Sequence, residues 1–232
     1  MLNRKHEAMA CRAKAFVSWS SGKDSAYALL EARQHDIAEI TGILTTVTAG
    51  DERVAVHDVR SDLLTRQAAA LGLPLIRMQL PSPCPNETYE ARFLDACASI
   101  KAQGVDRIVF GDLYLEDIRN YREGLLVRAG MRGLFPLWRR DTPSLARDMI
   151  ASGIVAHLVC VDLKRLDRSY AGRRFDPVLL SDLPADVDPC GENGEFHTAV
   201  SAGPMFAAPI PVHLGSTLER DGFAYAELSI GP

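Results

Sequence analysis

Between positions 18 and 25 the chain reads Ser18-Trp19-Ser20-Ser21-Gly22-Lys23-Asp24-Ser25, small hydroxyl residues around one glycine, one cation and one carboxylate. Such a run is suited to holding an anion. Small residues let backbone N–H groups come close to phosphate oxygens, and a helix that starts there adds the partial positive charge of its N-terminus. Ser20, Ser21 and Ser25 add hydroxyl donors and Lys23 a full positive charge. Asp24 does not belong in a pure anion cradle. Two roles suit it, holding a Mg²⁺ that accompanies the phosphates or capping the helix. The spacing is neither Gly-x-x-x-x-Gly-Lys-Ser/Thr nor Gly-x-Gly-x-x-Gly. The competing reading is an ordinary serine-rich turn.

A strand must deliver that turn and a helix must leave it. Ala15 to Trp19 reads as a buried strand, and Asp24 to Gln34 as a helix with Ala26, Leu29 and Leu30 on one face. Ile40 to Val47 is a second strand, and Ser61 to Leu71 a helix stopped by Gly72. Leu75 to Leu80 is a third strand, Asn86 to Gln103 a helix stopped by Gly104, and Arg107 to Asp112 a fourth strand. This alternation predicts an α/β fold, a parallel sheet with helices on both faces joined by right-handed crossovers. Ligands in such sheets bind beyond the carboxyl ends of the strands. That directs attention to the segments after Trp19, Thr46 and Phe110, and so to Gly111 and Asp112. Past Gly130 the rhythm changes. A helix begins at Thr142-Pro143, an apolar strand covers Ile154 to Leu163, and a turn-rich stretch from Asp182 to Gly194 precedes short β-like runs. The expected organisation is a phosphate-binding domain over residues 1–130 and a smaller α+β domain over 131–232.

The segment from Ser20 to Ser25 resembles the PP-loop, Ser-Gly-Gly-x-Asp-Ser, of the N-type ATP pyrophosphatases. It departs at Ser21, where that family has glycine. If the position needs a positive φ, serine costs about 1 kcal/mol or more. Four further segments, Gly111 to Asp117, Tyr121-Arg122-Glu123, Phe135 to Trp138 and Asp188 to Thr198, are similar to one PP-loop branch, the diphthine–ammonia ligase-like proteins. The resemblance spans residues 15 to 200. It implies a HUP-like, Rossmann-like nucleotide-binding sheet that uses ATP and Mg²⁺. The implied reaction adenylates a carboxylate, releases pyrophosphate and lets ammonia displace AMP to give an amide. The acceptor it implies is a modified histidine of elongation factor 2.

In that reading Ser18, Ser20, Ser21, Gly22, Lys23, Asp24, Ser25, Gly111 and Asp112 bind the nucleotide. Lys23 and Mg²⁺, held by Asp24, neutralise the pyrophosphate. Glu192 and Glu195 join Lys23 and Asp24 as catalytic groups that hold ammonium or act as base. On residue chemistry alone Glu192 and Glu195 also fit a solvated acidic hairpin. His197 fits a proton shuttle or a structural histidine, and Cys190 a reactive thiol or inert packing. Arg119, Arg122 and Glu123 fit an anion site or a solvated helix face, and Trp138 a domain-interface anchor.

The bulk composition narrows the classes. Of 232 residues 47% are hydrophobic and 24% charged, with a net charge of −4, which speaks against a general nucleic-acid or membrane-surface binder. Arg132, Arg139, Arg140, Arg173 and Arg174 leave room for a local basic patch. Five scattered cysteines offer no zinc-ligand spacing and suit a reducing cytoplasm. Neither an apolar leader nor a membrane-length run is visible. The expected partners are ATP, ammonia and the carboxylate acceptor, and a homodimer is admitted. RNA thiolation by a PP-loop enzyme and a nucleotide-binding sensor without turnover are the alternatives.

Overall fold

The computed structural model describes residues 12–49, 53–54 and 61–231; Cys11 lies outside them. Strand β1 (Lys14–Ser18) leads into helix α1 (Lys23–Gln34), followed by β2 (Glu39–Thr48), β3 (Arg53–Val54), α2 (Ser61–Leu71) and β4 (Leu75–Leu80). Helix α3 (Asn86–Lys101), β5 (Arg107–Val109), α4 (Glu116–Ala129) and β6 (Arg132–Leu134) complete the first sheet. Its parallel strands run in the order β4-β2-β1-β5-β6, with β3 antiparallel beside the end of β2. The chain builds outward from β1 through β2 to β4, then returns to the other side of β1 with β5. The carboxyl ends of β1 and β5 therefore flank the point where strand order reverses, the place where such sheets open a crevice.

Each face of this sheet packs against helices. Ala15 and Val17 of β1 face a core with α1 and α2, whereas Phe16 faces a second core with Phe93, Cys97 and Ile100 of α3 and Leu125 and Leu126 of α4. That alternation is the period-two geometry of a strand buried on both sides. Phe16 is accommodated by its cross-strand partner Gly42, because a Cβ there would lie 2.3 Å from the ring.

The second sheet is antiparallel, in the order β8-β7-β10-β9. Helix α5 (Thr142–Ala151) enters it, capped by the Asp141 carboxylate, which accepts from Ser144 N at 3.0 Å. Then come β7 (Val155–Asp162), α6 (Pro177–Asp182), β8 (Phe196–Ala202), β9 (Val212–Arg220) and β10 (Phe223–Ile230). Ala156, Leu158, Phe196 and Val200 belong to the same apolar cluster as α1 and α2, so one core runs from the first sheet into the second.

Two expectations are corrected here. The parallel sheet continues past residue 130, because Gly130 ends α4 at φ 63° and releases the chain into β6, which pairs with β5. The fourth strand stops at Val109, short of the expected Asp112.

Gly42→Ala drives a methyl group into the Phe16 ring. It is expected to cost about 1–3 kcal/mol, the range for overpacking a filled core, as read from urea unfolding midpoints.

Candidate active site

A cleft of about 230 Å³ opens where β1 and β5 end. Its helix end is the first turn of α1. Gly22 is the N-cap, in extended conformation at φ −91° and ψ 172°. The turn before it is tied by its own serines. The Ser20 and Ser25 hydroxyls lie 3.1 Å apart, Gly22 N donates to Ser20 Oγ at 3.3 Å, and Ser25 Oγ donates to the Gly22 carbonyl at 3.0 Å. Lys23 N is satisfied from the second sheet, by Thr198 Oγ1 at 3.1 Å. Among the described residues the amides of Asp24 and Ser25 have no acceptor, which leaves a helix N-terminus suited to phosphate.

The turn is also anchored from behind. Gln67, fully buried on α2, accepts from Trp19 Nε1 at 2.9 Å and donates to the Val200 carbonyl at 2.8 Å and the Ser21 carbonyl at 3.3 Å. Val200 N returns a bond to the Ser21 carbonyl at 2.9 Å. Gly111 presses against α1, since a Cβ on it would lie 2.7 Å from the Asp24 carbonyl carbon and 2.9 Å from Ser25 N. The absent side chain permits this close approach to the helix backbone, and Gly111 also lines the cleft.

The opposite wall comes from the loop before β8 and from α4. Glu192 lines the cleft and accepts from Leu113 N at 2.9 Å. Burial, reinforced by the nearby Asp24 and Asp112 charges, lifts its carboxyl to about 7 against the pull of Leu113 N and Lys23. Asp112 is likewise shifted up by burial, although Arg122 opposes this with an ion pair of 2.6 Å. Its second oxygen, Oδ2, is buried without a partner. The Arg122 guanidinium lies 4.8 Å from the centre of the Phe110 ring and lines the cleft, as does His197.

The cleft thus gathers Ser18, Ser20, Lys23, Asp24, Ser25, Gly111, Asp112 and Glu192. Three expected site residues are placed otherwise. Ser21 is fully buried with φ 71°; its carbonyl is bonded to the second sheet and its hydroxyl has no partner. Gly22 contributes the cap. Glu195 is 1% exposed and its carboxylate is consumed by its own loop, accepting from Asp188 N, Asn193 N and Asn193 Nδ2 at 3.0–3.1 Å. Cys190 is buried and its thiol is pushed far up by burial, which suits inert packing. Arg119 lies 4.5 Å from the centres of both the Phe135 and Trp138 rings and bonds Glu123 at 2.9 Å. Three of the five arginines that suggested a basic patch are paired with acids, Arg139 with Glu116, Arg140 with Glu31 and Asp148, and Arg173 with Asp182.

Sequence reasoning missed Gln67, Phe175 and the capping role of Thr198. Gln67 did leave a signal, a polar residue on the α2 stripe Leu63, Leu64, Ala68, Leu71 that the core buries. Among the described residues no three His, Cys, Asp or Glu side chains form a ready metal cage. A Mg²⁺ arriving on phosphates needs only one or two carboxylates, and the cleft offers Asp24 beside the free amides.

A parallel sheet whose first strand delivers a serine-glycine-lysine turn into a helix N-terminus, at the reversal of strand order, defines a nucleotide-binding protein of the PP-loop class. Within that class the chain belongs to the diphthamide synthase family: residues 13–133 match the diphthamide synthase N-terminal domain and residues 141–225 its C-terminal domain. It is similar to proteins named diphthine–ammonia ligase. The zebrafish (Danio rerio) protein is 27% identical over 89% of this chain and 89% of its own length, and the human (Homo sapiens) protein 26% identical over 90% and 86%. The fission yeast (Schizosaccharomyces pombe) protein is 26% identical over 81% of this chain, which spans about a third, 34%, of that longer relative.

Ser21→Gly removes a left-handed serine, worth about 1–2 kcal/mol, and a partnerless hydroxyl, against about 0.4–1 kcal/mol of added chain entropy. The variant should gain roughly 1 kcal/mol, a rise in Tm of about 2–4 °C for a domain of this size, measured by calorimetry.

Proposed function

We propose that this chain is an ATP-dependent, amide-forming ligase. It transfers AMP from ATP to a carboxylate, releasing pyrophosphate, and ammonia then displaces AMP to leave the amide. Family membership supports the use of ATP and the amide-forming chemistry. The observation that carries the reading at residue level is the facing pair in the cleft, the open first turn of α1 on one side and the raised Glu192 carboxyl on the other.

The roles follow from position. The amides of Asp24 and Ser25 and the hydroxyls of Ser20 and Ser25 cradle phosphate oxygens. Asp24 would hold Mg²⁺, which would supply neutralising charge to the phosphates. Alignment and charge neutralisation are the main barriers to adenyl transfer. Glu192, ionised above about pH 7, takes a proton as ammonia attacks, and a carboxyl raised into the neutral range is matched to that task. Arg122 and Asp112 line the acceptor side. Glu195 shapes the loop that presents Glu192. The acceptor is a carboxylate, with a modified histidine of elongation factor 2 as first candidate, and the cytoplasm is the compartment that fits. Among the described residues no helix is long and apolar enough to cross a membrane.

Purified protein given magnesium ATP, ammonium and the candidate acceptor should form AMP, pyrophosphate and an amide. ADP as product, or no turnover, removes the ligase reading and leaves the sensor. Glu192→Gln should lower amide formation by about 10²–10⁴-fold, the usual contribution of a general base. With free ammonia held constant across the pH series, the parent's rate should rise with pH through about 7, as the base form appears. That rising limb should vanish in the variant's pH–rate profile.

A further inference from the structure

Lys23 is the only charged residue of the phosphate-binding turn that is buried, at 2% exposure, and its surroundings are complete. Its ammonium donates to both Asp24 oxygens at 3.0 Å and to the Cys190 carbonyl. The Phe175 and Phe196 rings lie 5.5 and 5.3 Å from the nitrogen and cover its remaining side. An ammonium has three protons, and these partners take them. The pair it makes with Asp24 carries no net charge toward the cleft. Moving the ammonium onto a phosphate would strip a buried carbonyl of its donor and pull a cation from between two aromatic faces, both costly.

What the ammonium holds is a loop. Residues 188–195 are bound internally by two acids. Asp188 accepts from Cys190 N and Glu192 N at 3.2 and 2.9 Å, and Glu195 closes the other half. This unit is tied to α1 through Lys23 and Cys190 and to the segment after β5 through Glu192 and Leu113, with further bonds from Tyr114 to Asp188 and Asn193, from Asp162 N to the Glu195 carbonyl and from the Cys190 thiol to the Thr142 carbonyl. We infer that Lys23 is a positioning residue whose ammonium fastens the Cys190 carbonyl to the first turn of α1 and thereby sets Glu192 across the cleft. It does not meet the phosphates, which are left to the helix amides, the serine hydroxyls and the Asp24-bound cation. This assignment rests on the reading of the cleft as the ATP site.

Lys23→Met and Lys23→Arg separate this role from phosphate neutralisation. Met fills the aromatic cage without charge; Arg keeps the charge but cannot place it on the Cys190 carbonyl. Three measurements apply to each, the Kd for magnesium ATP by calorimetry, amide hydrogen exchange over residues 188–198, and kcat and KM for AMP formation from magnesium ATP with water as acceptor. A positioning role gives both variants a Kd and KM within about 3-fold of the parent, kcat at least 10-fold lower, and exchange in 188–198 at least 10-fold faster. A Kd weakened 30-fold or more in Lys23→Met and restored in Lys23→Arg, with exchange unchanged, overturns it. Should the parent form no AMP, the ligase reading fails, while Kd and exchange still decide the part played by Lys23. If Lys23→Met does not fold, Lys23→Arg decides it alone, parental exchange in 188–198 counting against the inference.

Discussion

The turn that begins α1 cannot satisfy its own backbone, and the rest of the molecule is arranged around that deficit. A helix start leaves unpaired N–H groups, and the strand-to-helix bend leaves the Ser21 carbonyl buried. The second sheet meets both needs, Thr198 through the Lys23 amide and Val200 through the Ser21 carbonyl. Gln67 adds a third tie by bonding the turn, Trp19 and β8 at once. Leaving such groups unpaired costs about 1–3 kcal/mol each. The two sheets therefore share a common core as well as a common site, and the amides left over at Asp24 and Ser25 are those that face the cleft.

Most of the framework was legible because its signals are local. Alternating short apolar strands and amphipathic helices predicted the parallel sheet, and the strand-end rule pointed to the serine turn and to Gly111 and Asp112. The left-handed Ser21 was anticipated from the glycine expected there. The division of labour between Glu192 and Glu195 was not legible. Gly191 at φ 68° and Gly194 at φ 86° turn the chain sharply, so two carboxylates three residues apart have different surroundings, one at the cleft and one spent within the loop. Gln67 and Phe175 act on partners more than a hundred residues away, and no windowed pattern contains such partners.

The electrostatics of the cleft follow from the same crowding. Burial and the nearby Asp24 charge raise Asp112, and burial with Asp24 and Asp112 raises Glu192; Lys23 pairs with Asp24, Arg122 with Asp112, and the Leu113 amide donates to Glu192. Asp24 and Asp112 each have a cation in direct contact, whereas Glu192 has a neutral amide in contact and feels Lys23 only as a nearby charge. That difference sets Glu192 apart as the acid whose proton is exchangeable near neutrality.

The bond from Lys23 to Thr198 joins residues 175 positions apart, and that from Gln67 to Val200 spans 133. A ribosome adding about 5–20 residues per second delivers the turn long before it delivers β8. Until then the serine bend lacks the partners that pair its Ser21 carbonyl and Lys23 amide in the folded chain, so the cleft is among the last features of the molecule to mature. Growing chains, and fragments cut short before β8, lack the bonds that close the cleft, whatever the state of their first sheet.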